Sequence, residues 1–205
     1  MFSNHVIVLW FQLTPRSVTE VIVSTESGPG AILTSLPDSA LTASSSHSSS
    51  LSPAYSRLHS HDPAGTRRYT SWSVGTNDAR QWIQADFGDI RVLTAIETQG
   101  RKREEASHEV QCVKSFKVSV NVSGSGFEYI LDDSGSEKIF PANQESDSES
   151  VVRNCLDYVV ARAVRLHPVT WQTHISLRWE LYEDSEPGIR DVFMSTSSSC
   201  CQQNY

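Results

Sequence analysis

The 205-residue sequence has no apolar run long enough to cross a bilayer. Its longest, residues 6–13, reads VIVLWFQL, whereas a helical span needs about 20 such residues. Basic charge is also short: 17 Lys and Arg stand against 24 Asp and Glu, net −7. That excludes nucleic acid as a main partner, since phosphate binding requires basic surface to displace counterions. It excludes broad electrostatic adhesion to anionic membranes as well. The four cysteines, Cys112, Cys155, Cys200 and Cys201, form no C-x-x-C or Cys/His spacing, so no metal site is expected. A nucleophile elbow, an H-E-x-x-H and a phosphate loop are all missing. The chain therefore reads as a non-enzyme with no cofactor. No stretch carries a long 3.6-residue period with caps, so little helix is expected.

What is present is alternation. Residues 81–100, QWIQADFGDIRVLTAIETQG, read as two strands meeting at a tight turn at Phe87-Gly88-Asp89. Ile90, Val92, Thr94 and Ile96 then recur at period two, placing one face on a core. Phe116, Val118, Val120 and Val122 alternate with polar residues and turn through residues 123–126 onto Phe127, Tyr129 and Leu131. Residues 159–168 and the alternating Ile175, Leu177, Trp179 and Leu181 supply further strands. Short strands between turn-rich loops indicate an all-β sandwich or barrel. Residues 24–53 are rich in Ser, Thr, Gly and Pro and read as an irregular segment pinned by Leu36 and Leu41. Residues 1–24 read as a leader or an atypical N-terminal segment, since residues 6–13 suit either a signal core or a first strand. Residues 184–205 lose the pattern and read as a flexible tail.

The order of motifs resembles a known family. LTASS at 41–45, WIQADFG at 82–88, TQG at 98–100, FPANQ at 140–144, ARAVRLHP at 161–168, Trp171 and ISLRWEL at 175–181 are similar to those of discoidin domains, also called coagulation factor V/VIII type C domains. The resemblance covers residues 25–183. It implies a distorted jelly roll of two antiparallel sheets, galactose-binding-like, and an extracellular recognition module, secreted or at the cell surface, without catalytic residues. Such modules serve adhesion by binding glycan, protein or phospholipid through three loops at one barrel end. Mapped here, those loops are residues 44–52, 59–69 and 101–111.

The ligand residues that the resemblance implies are Asp86, from the W-x-Q-x-D motif, with His47 and Leu51 at the aromatic places of the first loop; Asp86 reads otherwise as a carboxylate hydrogen-bonded to loop backbone. Arg101, Lys102 and Arg103 of the third loop face an acidic glycan or an acidic partner, or are a solvated charged loop. Phospholipid binding is not expected: burying Leu51 alone yields about 2 kcal/mol, too little against desolvating that basic cluster. Members of the family also close the barrel with a terminal disulfide, but the corresponding places hold Thr25 and Asp184. Cys112 and Cys155 either bridge, contributing roughly 4 kcal/mol in the chain-entropy model, or remain buried thiols. Asn121-Val122-Ser123 is a glycosylation sequon at a hairpin end. Cys200 and Cys201 suit linkage between chains, the basis of an alternative reading as a self-associating, matrix-type protein.

Overall fold

The computed structural model describes residues 30–58, 71–101, 109–144 and 150–183. Eight strands run in chain order: β1 (Leu41–Ala43), β2 (Trp72–Ser73), β3 (Ile83–Gln99), β4 (Cys112–Asn121), β5 (Glu128–Tyr129), β6 (Phe140–Pro141), β7 (Val152–Gln172) and β8 (Ser176–Glu183). The helical elements among the described residues are single 3-10 turns, such as Leu33–Ser35 and Ser49–Leu51. All pairings between these strands are antiparallel, in the order β2-β8-β3-β7-β4-β5, with β1 on β3 and β6 on β4.

β3 and β7 organise the molecule, and here the expected pair of strands at residues 81–100 is corrected. The stretch is one strand, and both its halves pair with β7, from Ile83↔Leu166 to Thr98↔Val152. The turn at residues 87–89 survives as a bulge. Gly88 takes φ +79, where a side chain would be strained, and its N–H donates to Asp86 Oδ1 at 2.9 Å. Before the bulge the other edge of β3 carries β1; after it, that edge carries β8. Bulges of this kind let one strand pass from one layer to the next. A matching irregularity on β7 puts Asp157 and Tyr158 at φ 50 and 61, beside the register shift at Leu93/Ala95.

One apolar cluster fills the interior, with Trp72, Ile83, Leu93, Phe116, Val118, Leu166 and Trp179 among its members. Phe116 and Phe140 stack at 5.5 Å between centroids. The β4–β5 hairpin is as expected, with Ser119 opposite Tyr129. β8 departs from expectation. Its polar residues should face water, yet Arg178 and Glu180 are 4% and 2% exposed. Residues 30–36 cover Glu180: its Oε1 accepts from the N–H of Leu33 at 2.5 Å and of Leu181 at 3.0 Å, while Oε2 accepts from Thr34 Oγ1. Arg57 holds this cover in place by donating to the carbonyls of Leu33, Leu36 and Ala54. Ala31 bridges Tyr182, and Arg91 pairs with Glu183 at 3.0 Å. The two ends of the described domain are thus clasped by hydrogen bonds, Ile32 N–H to the Leu181 carbonyl and Glu183 N–H to that of Gly30. Thr25 and Asp184, where the family's bridge would sit, lie outside the described residues.

The bridge between Cys112 and Cys155 is not formed. Cys112 is a buried thiol whose Sγ is directed at the Asn143 carbonyl, 3.9 Å away. Cys155, half-buried on β7, is disulfide-bonded to a partner outside the described residues. Cys200 and Cys201 also lie outside them.

Candidate functional site

Four separate chain segments meet at the end of the barrel where β8 starts and β3 finishes. The first follows β1. Ser44 and Ser45 donate to Gln81 Oε1 at 2.7 and 2.6 Å, and Trp72 Nε1 donates to the Ser45 carbonyl at 2.8 Å. These bonds fold residues 44–47 back over β2, where the His47 N–H donates to the Ser73 carbonyl at 2.9 Å. The second segment is the turn after Val74. Asp78 caps it, accepting from Arg80 N–H at 2.8 Å and from Gln81 Nε2 at 3.1 Å. The hydrogen bonds to Arg80, its side chain above all, hold the Asp78 carboxyl down at about 2.

The third segment flanks residues 101 and 111, whose backbones pair at 3.1 Å. Arg101 Nη1 donates to Gln111 Oε1 at 2.9 Å, and Ser176 Oγ donates to the same oxygen at 3.2 Å. Ser176 Oγ in turn shares a hydrogen bond with Ser73 Oγ at 2.7 Å. Arg178 Nε and Nη2 both donate to the Gly100 carbonyl, at 3.0 and 2.7 Å, fixing where β3 releases the chain. The fourth is the β7–β8 turn. Thr173 adopts φ 55, Asn77 Oδ1 accepts from the Ile175 N–H, and His174 Nε2 donates to the Val74 carbonyl at 3.0 Å. The His174 ring meets that of His47 edge-on at 6.0 Å.

A polar surface results, with His47, Asn77, Arg101, Gln111 and His174 at its rim and buried hydroxyls beneath. It can exchange hydrogen bonds with a ligand rich in donors and acceptors. Among the described residues no cluster of His, Cys, Asp or Glu is able to hold a metal ion.

Of the residues expected from the sequence, His47 and Arg101 come together here. Lys102 and Arg103 lie outside the described residues, as do residues 59–69. Leu51 is not displayed: the 3-10 turn Ser49–Leu51 folds it inward, 4% exposed, so the first loop carries no apolar tip at that position. Asp86 is elsewhere. β1 pairs with β3 as Ala43↔Ile83 and Leu41↔Ala85, so each step from Ile83 toward Asp86 leads away from the loop after Ala43. Its carboxylate, 40% exposed, accepts from Gly88 and faces Arg162 Nε at 3.5 Å, which makes it part of the bulge. Asn121 is corrected too. Only 8% exposed, it donates through Nδ2 to the Gly126 carbonyl at 2.6 Å and accepts from the Gly124 N–H at 2.7 Å. The amide that would carry a glycan holds the β4–β5 turn instead.

Sequence reasoning missed Asn77, Gln111 and His174. Each is a polar residue next to a strand end or within a turn, a signal common to many loop residues.

The comparisons with known proteins agree with this architecture. Residues 40–181 match the F5/8 type C domain family model. Coagulation factor VIII of Canis lupus familiaris is 38% identical over 150 residues, covering 71% of this chain and 6% of that protein. Human neuropilin-1 is 32% identical over 142 residues, covering 69% of this chain and 14% of the relative. The chain thus spans a small part of these relatives' length. The solved structure of wild-type discoidin II from Dictyostelium discoideum superposes with a TM-score of 0.63 at 29% identity, covering 78% of this chain and 60% of that one. Family model, relatives and fold concur: this chain belongs to the F5/8 type C, or discoidin, domain family, a ligand-binding rather than catalytic module.

Proposed function

We propose that the chain is an extracellular recognition module of cell adhesion, secreted or at the cell surface, which binds a carbohydrate or a protein through the loops at the β3–β8 end. The observation that carries this reading is the linked set Arg101–Gln111–Ser176–Ser73–His47, in which side chains and backbone from distant segments are pre-positioned on a rigid sheet. Ligand groups placed by rigid elements lose little entropy on binding. The burial of Leu51 supports the same reading against phospholipid insertion, because an insertion loop must present apolar tips to the bilayer.

The test is a glycan array, together with capture of cell-surface proteins, using the full chain and its His47→Ala and Arg101→Ala forms. Each substitution should weaken binding by about ten-fold, the effect of one charge-assisted or well-placed hydrogen bond. Binding unchanged in both variants would show that the ligand sits elsewhere. The alternative, a self-associating matrix-type protein linked through Cys200 and Cys201, is separated by non-reducing gel mobility. Monomer migration in a protein that still binds its ligand excludes it.

A further inference from the structure

On the outward side of β7, Arg165 is held on three sides. Its guanidinium carbon lies 4.1 Å from the Trp82 ring centroid and 3.9 Å from that of Phe127. Its Nε donates to Gln84 Oε1 at 2.9 Å. The fourth side is open: neither Nη atom meets an acceptor among the described residues. Arg57, Arg80, Arg91, Arg153 and Arg162, by contrast, each sit against a carboxylate. Nearby acids on the same face are already engaged, Asp86 by Arg162 and Glu137 by Lys117. His167 follows two residues along β7 on the same side. Burial, then the charge of Arg165, push its pKa down to about 4, so it is neutral at pH 7. Tyr129, 38% exposed, tilts against its ring at 5.0 Å.

The geometry points to a second binding site, a platform for an acidic saccharide whose carboxylate or sulfate pairs with the open Nη edge of Arg165. A guanidinium presents parallel N–H donors that match two oxygens of one anion, and the flanking rings fix its orientation before the ligand arrives. β7 is paired with β3 on one side and with β4 on the other. No strand edge is available there for a peptide to add to, so the ligand must be read by side chains. Gln84, neutral His167 and the Tyr129 hydroxyl offer the mixed donors and acceptors that sugar hydroxyls require. The exposed Tyr129 ring suits the C–H face of a pyranose. Trp82 adjoins the first loop, its N–H donating to Ser44 Oγ at 3.0 Å, but the platform shares no side chain with the loop-end site, so the two can be substituted separately.

The experiment is ¹⁵N NMR of the full chain, following the Arg165 Nε–H and the Trp82 indole N–H. The probes are a sulfated disaccharide, a uronate-containing disaccharide, a neutral disaccharide, an acidic peptide and sodium sulfate, all at matched ionic strength. At least one acidic disaccharide should shift both resonances, and the neutral sugar should bind at least about ten-fold more weakly. Arg165→Lys, which keeps the charge but loses the paired donors, and Arg165→Gln should each weaken binding by about ten-fold or more. Thermal unfolding reports whether either variant is folded. If not, Tyr129→Ala, at an exposed position, and the direct resonance shifts decide. The proposal is overturned if no acidic sugar shifts these resonances, or if free sulfate does so equally well. Tighter binding of the acidic peptide at the same resonances, or full affinity in folded Arg165→Gln, would overturn it too.

Discussion

The outward faces of β8 and β7 carry similar residues and end as opposite surfaces. On β8, Glu180 lies beneath residues 30–36 and Arg178 against the Gly100 carbonyl, and hydrogen bonds occupy both oxygens of Glu180. On β7, Arg165 and His167 stay partly accessible, and the Nη edge of Arg165 is open. The difference lies in the cover. Where a segment is pinned across a face, charges must find protein partners or the fold is penalised. Where no described segment is pinned across it, a cation can be held by rings and left to meet something from solution.

The comparison is broken most severely at Glu180. Glu180→Ala leaves the N–H of Leu33 and Leu181 and the Thr34 hydroxyl without this acceptor, and should cost about 3 kcal/mol. Urea denaturation measures it, and a midpoint within error of wild type would show that the cover is not held this way.

Leu51→Ala comes next, at about 2–3 kcal/mol for a buried leucine. Liposome sedimentation should be unchanged, because the side chain faces the interior. A variant with undiminished stability but altered membrane partition would restore Leu51 as a displayed tip.

Asn121→Ala removes both side-chain bonds of the β4–β5 turn and should cost about 1 kcal/mol. Mass spectrometry of the chain after expression through a secretory pathway gives a separate reading of the same residue, and full occupancy of Asn121 would contradict its buried, engaged amide.

The smallest effect sharpens the β7 side. The folded pKa of His167, about 4, lies below the ordinary 6.5. Between those values the unfolded chain binds a proton that the folded one does not, so stability falls as pH drops from 6.5 toward 4 and is unaffected above that window. Against parallel losses from other groups, His167→Gln should show a shallower decline, by a few degrees of Tm at pH 4.5. Identical pH profiles would place the ring in a water-like environment.

Strand positions were legible because alternation is local. Phe116 and Val118 announce an inward face from their spacing alone and are buried, but the alternation fails further along β4, where Ser119 and Asn121 are buried and Val122 is exposed. The residues around Gly88 show where such reading stops. A glycine between aspartates signals a turn, but whether the flanking strands pair with each other or with a third depends on β7, which begins more than sixty residues later. The candidate site was half legible. His47 and Arg101 follow from loop positions in the family pattern, whereas Asp86 stayed open between a ligand contact and a bond to loop backbone, because a motif states identity and order but not the antiparallel register that carries it away from the first loop.

The sequence by itself determined the strand-rich class, the family and the single apolar core, since these depend on which side chains must leave water. Only the tertiary structure decided which polar faces are covered, that Cys112 remains a thiol, that Leu51 turns inward and that Arg165 keeps an open edge. Those outcomes depend on contacts between residues far apart in the chain, and no local pattern encodes how close two distant segments come.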